Sequence, residues 1–400
     1  MASVPARTDL ARTYLDHAAT TPMVPVAIEA MTAQLGHVGN PSSLHASGRA
    51  ARRVVEESRE IVAASLGAKP AEVVFTSGGT EADNLAIKGA YAASSPRGRD
   101  RVVISAIEHH AVLDPARWLA DRLGADLVRA DLVEVQVSTS GVVILDELIR
   151  AVDERTAVVS VMWANNEIGT LQPVPEVARI ARRVGALAHS DAVQAVGHVP
   201  VDFAASGLDL LTVTGHKLGG PVGVGALLAR REVSLEPTQH GGGQERDLRS
   251  GTLDVVAVAG FAAALKVAVE AQTAERARLE RLRRRLVETV LAAAPDAVVH
   301  GPADPALRLP NVVNVELPGC SADALLLLFD AAGLDCSTGS ACTAGVAQPS
   351  HVLLALGRSV TQARSALRFS LGHSSTGADI DALARALPEV LSRARAAART

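Results

Sequence analysis

The chemistry available to this sequence sits where its apolar runs end. Lys217 follows the β-rich run 210–214 in LTVTGHKLGGPVGVG, beside His216 and ahead of glycines that let backbone close around the amine. Desolvation at a strand end lowers a lysine's pKa and frees the amine for a Schiff base with an aldehyde cofactor. A solvated loop lysine is the alternative. Asp191 and Gln194, in HSDAVQA, fall on one side of a turn. A carboxylate against a pyridine nitrogen keeps that nitrogen protonated, and a protonated pyridinium is the electron sink of pyridoxal phosphate chemistry; the rival role for Asp191 is a helix N-cap. His109, in EHHAVL, could stack on such a ring, move a proton or serve the core.

Of three cysteines, Cys342 lies in STGSACTAGVAQPS, with no aromatic or bulky aliphatic residue from Ser337 to Gly345, so an accessible thiol is expected there. Cys320 and Cys336 abut apolar runs and suit the role of small buried hydrophobes. An odd count in a long chain argues for a reducing compartment rather than a disulfide framework. The cysteines lack CxxC spacing and no histidine pair completes a tetrahedral set, so no resident metal site is expected. There is neither a GxxxxGK[ST] loop nor a GxGxxG after a strand, which leaves nucleotide binding without support.

Four hundred residues at 48% hydrophobic content can bury a large core, and only 2% are aromatic, so that core must be built from small aliphatic side chains. A formal charge of -4 supplies no basic field for nucleic acid. The first residues lack the apolar run of a signal peptide, and no apolar stretch is expected to reach a membrane span, so a cytoplasmic protein is expected.

The elements that must position these residues alternate. Helices are expected over 26–35 and up to Leu66. VVFTSGGTEADNLA then reads as a strand, a Ser-Gly-Gly turn and a helix opening at Thr80, whose free N–H groups could hold a phosphate or simply be capped. Strands RVVISA, ADLVRA, AVVSVMWA and ALAHSD alternate with helices over 112–123, 145–152 and 174–184, which implies a mostly parallel sheet flanked by helices. Ligands of such sheets bind at the carboxyl ends of the strands, and Thr80, His109, Asn166, Asp191, Gln194 and Lys217 all follow apolar runs. A long helix over 255–293 should bridge to a smaller α/β segment with VVNVEL, ALRFSL and a terminal helix; its charged stretch ERARLERLRRRLVE reads as a solvated face.

Taken in order, YLDHAATTP, NPSSLH, FTSGGTEADNLA, EHHAVL, ANNEIGT, HSDAVQA, GHK, GGGQERDLRSGT, STGSACTAGVAQPSHVLLALG and RFSLGH resemble pyridoxal-phosphate cysteine desulfurases of the NifS/IscS type, within the class V aminotransferases. The resemblance spans nearly the whole chain. It implies a fold type I transferase, with an arm over 1–25 joining the small domain, a large cofactor domain over 26–255, and a connecting helix and small domain over 256–400. Lys217 would be the Schiff-base lysine and Cys342 the persulfide-forming nucleophile and a candidate transient iron–sulfur ligand. Asp191 would meet the pyridine nitrogen, Gln194 the ring hydroxyl, and His109 the ring face. Gly79, Thr80, Thr214 and His216 would hold the phosphate, with Thr252 supplied by a second subunit of a homodimer. Asn40, Asn166 and Arg368 would meet the substrate, Arg368 through its carboxylate. Thr214 stands where many relatives have serine, which keeps the hydroxyl.

The reaction so implied converts L-cysteine to L-alanine and passes sulfur to a protein acceptor, such as an iron–sulfur scaffold or a thiolation enzyme. Neither nucleic acid nor a membrane is expected as a direct partner. A selenocysteine lyase, an aminotransferase and a cofactor-free scaffold stand as alternatives.

Overall fold

The computed structural model describes residues 12–121, 129–339 and 348–398. The chain enters through β1 (Thr13–Tyr14) and two helices, Pro25–Leu35 and Ala46–Ser65. It then lays down β2 (Val73–Thr76), β3 (Arg101–Ser105), β4 (Asp131–Val135), β5 (Thr156–Ser160), β6 (Leu187–Asp191), β7 (Leu210–Thr214) and β8 (Gly225–Ala229). These form one seven-stranded sheet in the order β2-β8-β7-β6-β5-β3-β4, in which β8 alone runs antiparallel to its neighbours. Strands β2, β5 and β7 are fully buried and mostly aliphatic, as expected where helices cover a parallel sheet on each side, while the edge strand β4 is half-buried.

Two expectations need correction. The strand expected at ADLVRA lies instead at Asp131–Val135; most of 125–130 is outside the described residues, and 129 and 130 are not strand. The glycine-rich stretch after Lys217 is also no simple loop. Gly225–Ala229 returns along Leu210–Thr214, pairing Thr214 with Gly225 and Leu210 with Ala229, so Lys217 rides at the tip of a hairpin. Gly225 permits this: a Cβ there would lie 2.6 Å from the Val213 carbonyl oxygen and 2.9 Å from Gly78 Cα. The hairpin thus holds the Ser-Gly-Gly turn against the lysine loop.

The helix Val255–Ala293 joins two cores. Phe261 and Leu265 pack into the large core with Val213 and Phe203, and Leu279, Leu286 and Val290 pack into a second core with Val313, Phe329, Phe369 and Leu383. Against expectation, this helix is long and apolar enough to cross a membrane by length and composition, with a window mean hydropathy of 1.6. Its apolar first half lies against the helices Pro25–Leu35 and Ala46–Ser65, where a Cβ on Gly260 would meet Met31 at 2.6 Å.

The second core underlies an antiparallel sheet of β9 (Val298–Val299), β10 (Val312–Glu316) and β12 (Ala366–Ser370). Here β11 (Leu334–Asp335) pairs in parallel with β1, so the entering segment is bound to the carboxy-terminal part of the chain. Arg12 reinforces that junction through Asp335 at 2.7 Å and Asp330 at 2.6 Å.

One buried ion pair ties the loop after β8 to the large core. The Glu245 carboxylate accepts from Arg59 Nη2 at 2.6 Å, from Arg59 Nη1 at 2.8 Å and from the Phe75 backbone N–H at 2.8 Å. Removing one member of such a pair leaves a buried charge uncompensated, at about 3–5 kcal/mol. Glu245→Ala should therefore lower unfolding stability by about that amount in urea titrations; a loss within about 0.5 kcal/mol, the scatter of surface substitutions, would show the pair to be marginal.

Candidate active site

Strands β2, β3, β5, β6 and β7 all point their carboxyl ends the same way, and a cavity of about 390 Å³ opens there. It is lined by Gly79 and Thr80 after β2, His109 after β3, Asn166 after β5, Asp191 and Gln194 at the end of β6, and Thr214, His216 and Lys217 after β7. Arg368, on β12, closes its far side. Ten of the thirteen residues singled out from sequence thus meet in one place. Asn40 and Thr252 do not: both are exposed and neither lines the cavity, and Asn40 caps its own turn by accepting from Ser42 N at 2.9 Å. Cys342 lies outside the described residues.

Lys217 Nζ donates to the carbonyl oxygens of Ala18 and Ala19, each at 2.6 Å. Burial and the nearby Arg368 cation lower its pKa to about 8, against the pull of Asp16 and Asp191. A neutral amine is a nucleophile and a base, and this one becomes neutral well below the range of a free lysine. His109 and His216 are each pushed to about 4, first by burial and then by Lys217, so both rings are neutral near pH 7. The His109 Nδ1 accepts from Ala111 N at 3.1 Å, which leaves the proton on Nε2.

Beneath the cavity, Asp191 adjoins a polar layer whose other members sequence patterns did not single out. Asp191 Oδ1 accepts from Val193 N at 2.8 Å, and burial raises its pKa to about 6. Asp83, fully buried and also bordering the cavity, is raised well above the usual carboxylate range by burial and then by Asp191. Its Oδ1 has no hydrogen-bond partner and stands 3.5 Å from His189 Nε2. Two adjacent buried carboxylates cannot both ionise cheaply, so Asp83 holds the proton and Asp191 the charge. Glu108 accepts from Ser105 Oγ at 2.6 Å and Met162 N at 2.7 Å, yet burial still raises it to about 8.

At the amino end of the helix Gly79–Asn84, Gly78 has φ 150 and ψ -178, a conformation essentially limited to glycine. A Cβ on Gly79 would lie 3.1 Å from Val193 Cγ2. The turn therefore presents open N–H groups rather than side chains, with the hydroxyls of Thr80 and Thr214 and the His216 ring on the same cavity wall. Glu81 is held aside by Arg249 at 2.8 Å and by the Ser77 N–H at 2.8 Å, which keeps its charge off the turn.

On the opposite wall, Arg368 Nη2 pairs with Asp16 at 2.8 Å and Nη1 donates to the Asn166 carbonyl oxygen at 3.0 Å, while its buried Nε has no partner. Cys336 is half-buried near this pair, and burial with Asp16 pushes its thiol up to about 12. Cys320 is buried. Neither thiol is poised to react.

The class V aminotransferase family pattern matches residues 13–383. The chain is 54% identical over 388 residues to an IscS-like cysteine desulfurase of Mycobacterium tuberculosis, covering 96% of this chain and 98% of that one. A NifS-like protein of known structure superposes with a TM-score of 0.87 at 35% identity, over 96% of this chain and all of the other. SspA, solved in complex with cysteine, superposes with a TM-score of 0.75 at 30% identity over 90% of this chain and 98% of its own.

The depressed pKa of Lys217 is directly measurable. Reductive trapping of the cofactor-free protein with a small aldehyde should rise with pH through a midpoint near 8, because the neutral amine exists only above its pKa. A midpoint at the roughly 10.4 of a solvated lysine would mean that the amine is not desolvated.

Proposed function

The chain belongs to the class V aminotransferase family, with the fold type I architecture of pyridoxal-phosphate transferases and strong homology to IscS- and NifS-like cysteine desulfurases, and from that premise we propose that it desulfurates L-cysteine. The observation that carries the reading is a desolvated Lys217 amine sharing a cavity with a buried, ionised Asp191.

The residues present fit pyridoxal phosphate. Thr80, Thr214, His216 and the open turn at Gly78–Gly79 match a phosphate, where a Cβ would crowd Val193. Asp191 matches a protonated pyridine nitrogen, Gln194 the ring hydroxyl and His109 the ring face. Gln194 is oriented for this by its own donation to the Ala18 carbonyl oxygen at 2.9 Å. The cofactor supplies the electron sink that makes loss of a proton from an amino-acid Cα affordable.

The chain's own groups do the rest. Lys217 Nζ, neutral above about 8, would hold the cofactor through its aldehyde carbon and would serve as the base for the substrate Cα proton. Arg368 exchanges Asp16 for the substrate carboxylate, which a guanidinium grips at two points, and its unpartnered Nε supports that reading. Asn166, held at its carbonyl by Arg368, orients the same end, and Asn40 would join only if its loop moved inward. Cys342 as thiolate would attack the substrate sulfur; the C–S bond breaks, its electron pair stays with Cβ, which takes a proton, the chain keeps a persulfide, and alanine leaves once Lys217 returns a proton to Cα. The high thiol pKa of Cys336 and the burial of Cys320 favour Cys342 as the nucleophile.

The proposal extends to a cytoplasmic homodimer. Leu35, Val38, Leu44 and Val222 are exposed near Asn40 and the lysine loop, an apolar surface a second copy would cover, and exposed Thr252 would complete that copy's phosphate site. The product sulfur would pass to a protein acceptor, an iron–sulfur scaffold or thiolation enzyme, with neither nucleic acid nor membrane bound directly.

Purified protein given L-cysteine and a dithiol reductant, without a keto acid, should release alanine and sulfide in equal amounts, the reductant supplying the two electrons that free sulfide from the persulfide. Lys217→Ala should lose at least about 10²-fold in alanine formation. Cys342→Ser should keep its bound cofactor absorbance while losing persulfide and turnover. Normal turnover by either variant would move the assignment elsewhere, and a keto-acid requirement would make the chain an aminotransferase.

A further inference from the structure

A second cavity, of about 410 Å³, lies away from Lys217 between the second half of the helix Val255–Ala293 and the segment around 299–308. Glu280, Arg283, Arg284 and Val287 reach it from one face of the helix, spaced three, four and seven apart. Val299, Ala303, Pro305 and Arg308 form the other wall.

Two of its arginines are buried without an ion-pair partner among the described residues, although the Glu280 charge acts on Arg283. Arg283 is 7% exposed and Arg308 4%, and the Nε of each has no hydrogen-bond partner. Among the described residues, no carboxylate forms an ion pair with Arg283, Arg284 or Arg308. Arg308 Nη1 and Nη2 donate only to backbone oxygens, of Pro302 at 3.0 Å and Val312 at 3.4 Å, and the charge acting most on it is that of Arg283, of like sign. Burying an unpaired guanidinium is costly, and burying two that repel each other is more so. Three guanidiniums against the single carboxylate of Glu280 leave two uncompensated positive charges around a space large enough for a small molecule.

We propose that this cavity binds a dianionic oxyanion, either inorganic phosphate or the phosphate group of a small monoester. A guanidinium fork matches phosphate oxygens in geometry, and a dianion cancels the excess charge. The apolar wall of Val287, Val299 and Pro305 would take the organic part of an ester. The site is built into the domain junction: Leu171 N donates to Leu307 O at 2.9 Å and Leu309 N to Gly169 O at 2.7 Å, on either side of Arg308. An anion on Arg308 would brace the segment that adjoins Asn166. The inference does not depend on the reaction proposed for Lys217.

The test is calorimetric titration at constant ionic strength with inorganic phosphate, glycerol phosphate, sulfate and chloride, on protein that carries one pyridoxal phosphate per chain and has been dialysed free of excess cofactor and phosphate. Saturable binding of phosphate and sulfate, one site per chain, is expected, weakened at least about tenfold in Arg283→Gln with alanine formation unchanged. Tighter binding of glycerol phosphate would identify an ester as the ligand, and equal binding would identify the free ion. Arg284→Gln, at an exposed position, should weaken binding as well and decides the matter if Arg283→Gln does not fold. No saturable binding, equal effects of chloride, or unchanged affinity in both variants would overturn the proposal.

Discussion

Everything in the large cavity depends on keeping one amine dry. The Lys217 side chain is a strong base in water, and its pKa of about 8 exists only because burial outweighs two nearby carboxylates. That burial is assembled from three distant parts of the chain. The β7–β8 hairpin carries the lysine, the segment at Ala18–Ala19 receives its protons, and Arg368 on β12 adds the like charge. The Ala18–Ala19 segment is in turn fixed by β1 against β11 and by Ser370 Oγ, which accepts from Ala18 N at 2.8 Å. The small sheet is therefore part of the device that sets the lysine's pKa, not an appendage to it.

A dry amine alone would gain nothing if the floor beneath it were neutral. Asp191 must stay charged in a place that disfavours charge, and the polar layer behind it makes that possible. Asp83 takes up the proton that two adjacent carboxylates must share, while His189, pushed down to about 3 by burial, stays neutral between Ser160 Oγ and Thr212 Oγ1. This layer costs stability, since Asp83 Oδ1 and Glu108 Oε2 are buried without partners. Such penalties concentrate where chemistry is prepared, and the surrounding aliphatic strands, buried throughout, offset them.

Much of this was legible from residue patterns because the signal was local. Apolar runs ending in polar residues located Thr80, His109, Asn166, Asp191, Gln194 and Lys217, and the sheet brings all six to one cavity because its strands share a direction. The long helix was readable to its ends, Asp254 capping it through Ala257 N at 3.0 Å. What escaped was relational. Gly225–Ala229 has little β propensity of its own and becomes a strand only because Thr214 pairs with Gly225 beside the Gly78 turn. β4 was placed too early because two apolar stretches abut and only pairing with β3 selects the later one. Asp83 and Glu108 were hidden because no local pattern distinguishes a solvated carboxylate from one enclosed by residues distant in sequence. Asn40 and Thr252, read from motifs rather than from the ends of apolar runs, lie outside the cavity.

The same logic connects the two cavities. The segment after β5 contributes Asn166 to the first and, three to five residues later, pairs its backbone with 307–309 beside the second. Arg368 holds the Asn166 carbonyl from above, and Arg308 lies at the Thr170 bridge below. A short strip of chain is thus gripped at both ends by buried guanidiniums. One of them pairs with Asp16 at 2.8 Å, and the other has no acidic ion-pair partner among the described residues. Charge compensation at Arg308 would relieve the repulsion from Arg283 at the root of the strip that carries Asn166.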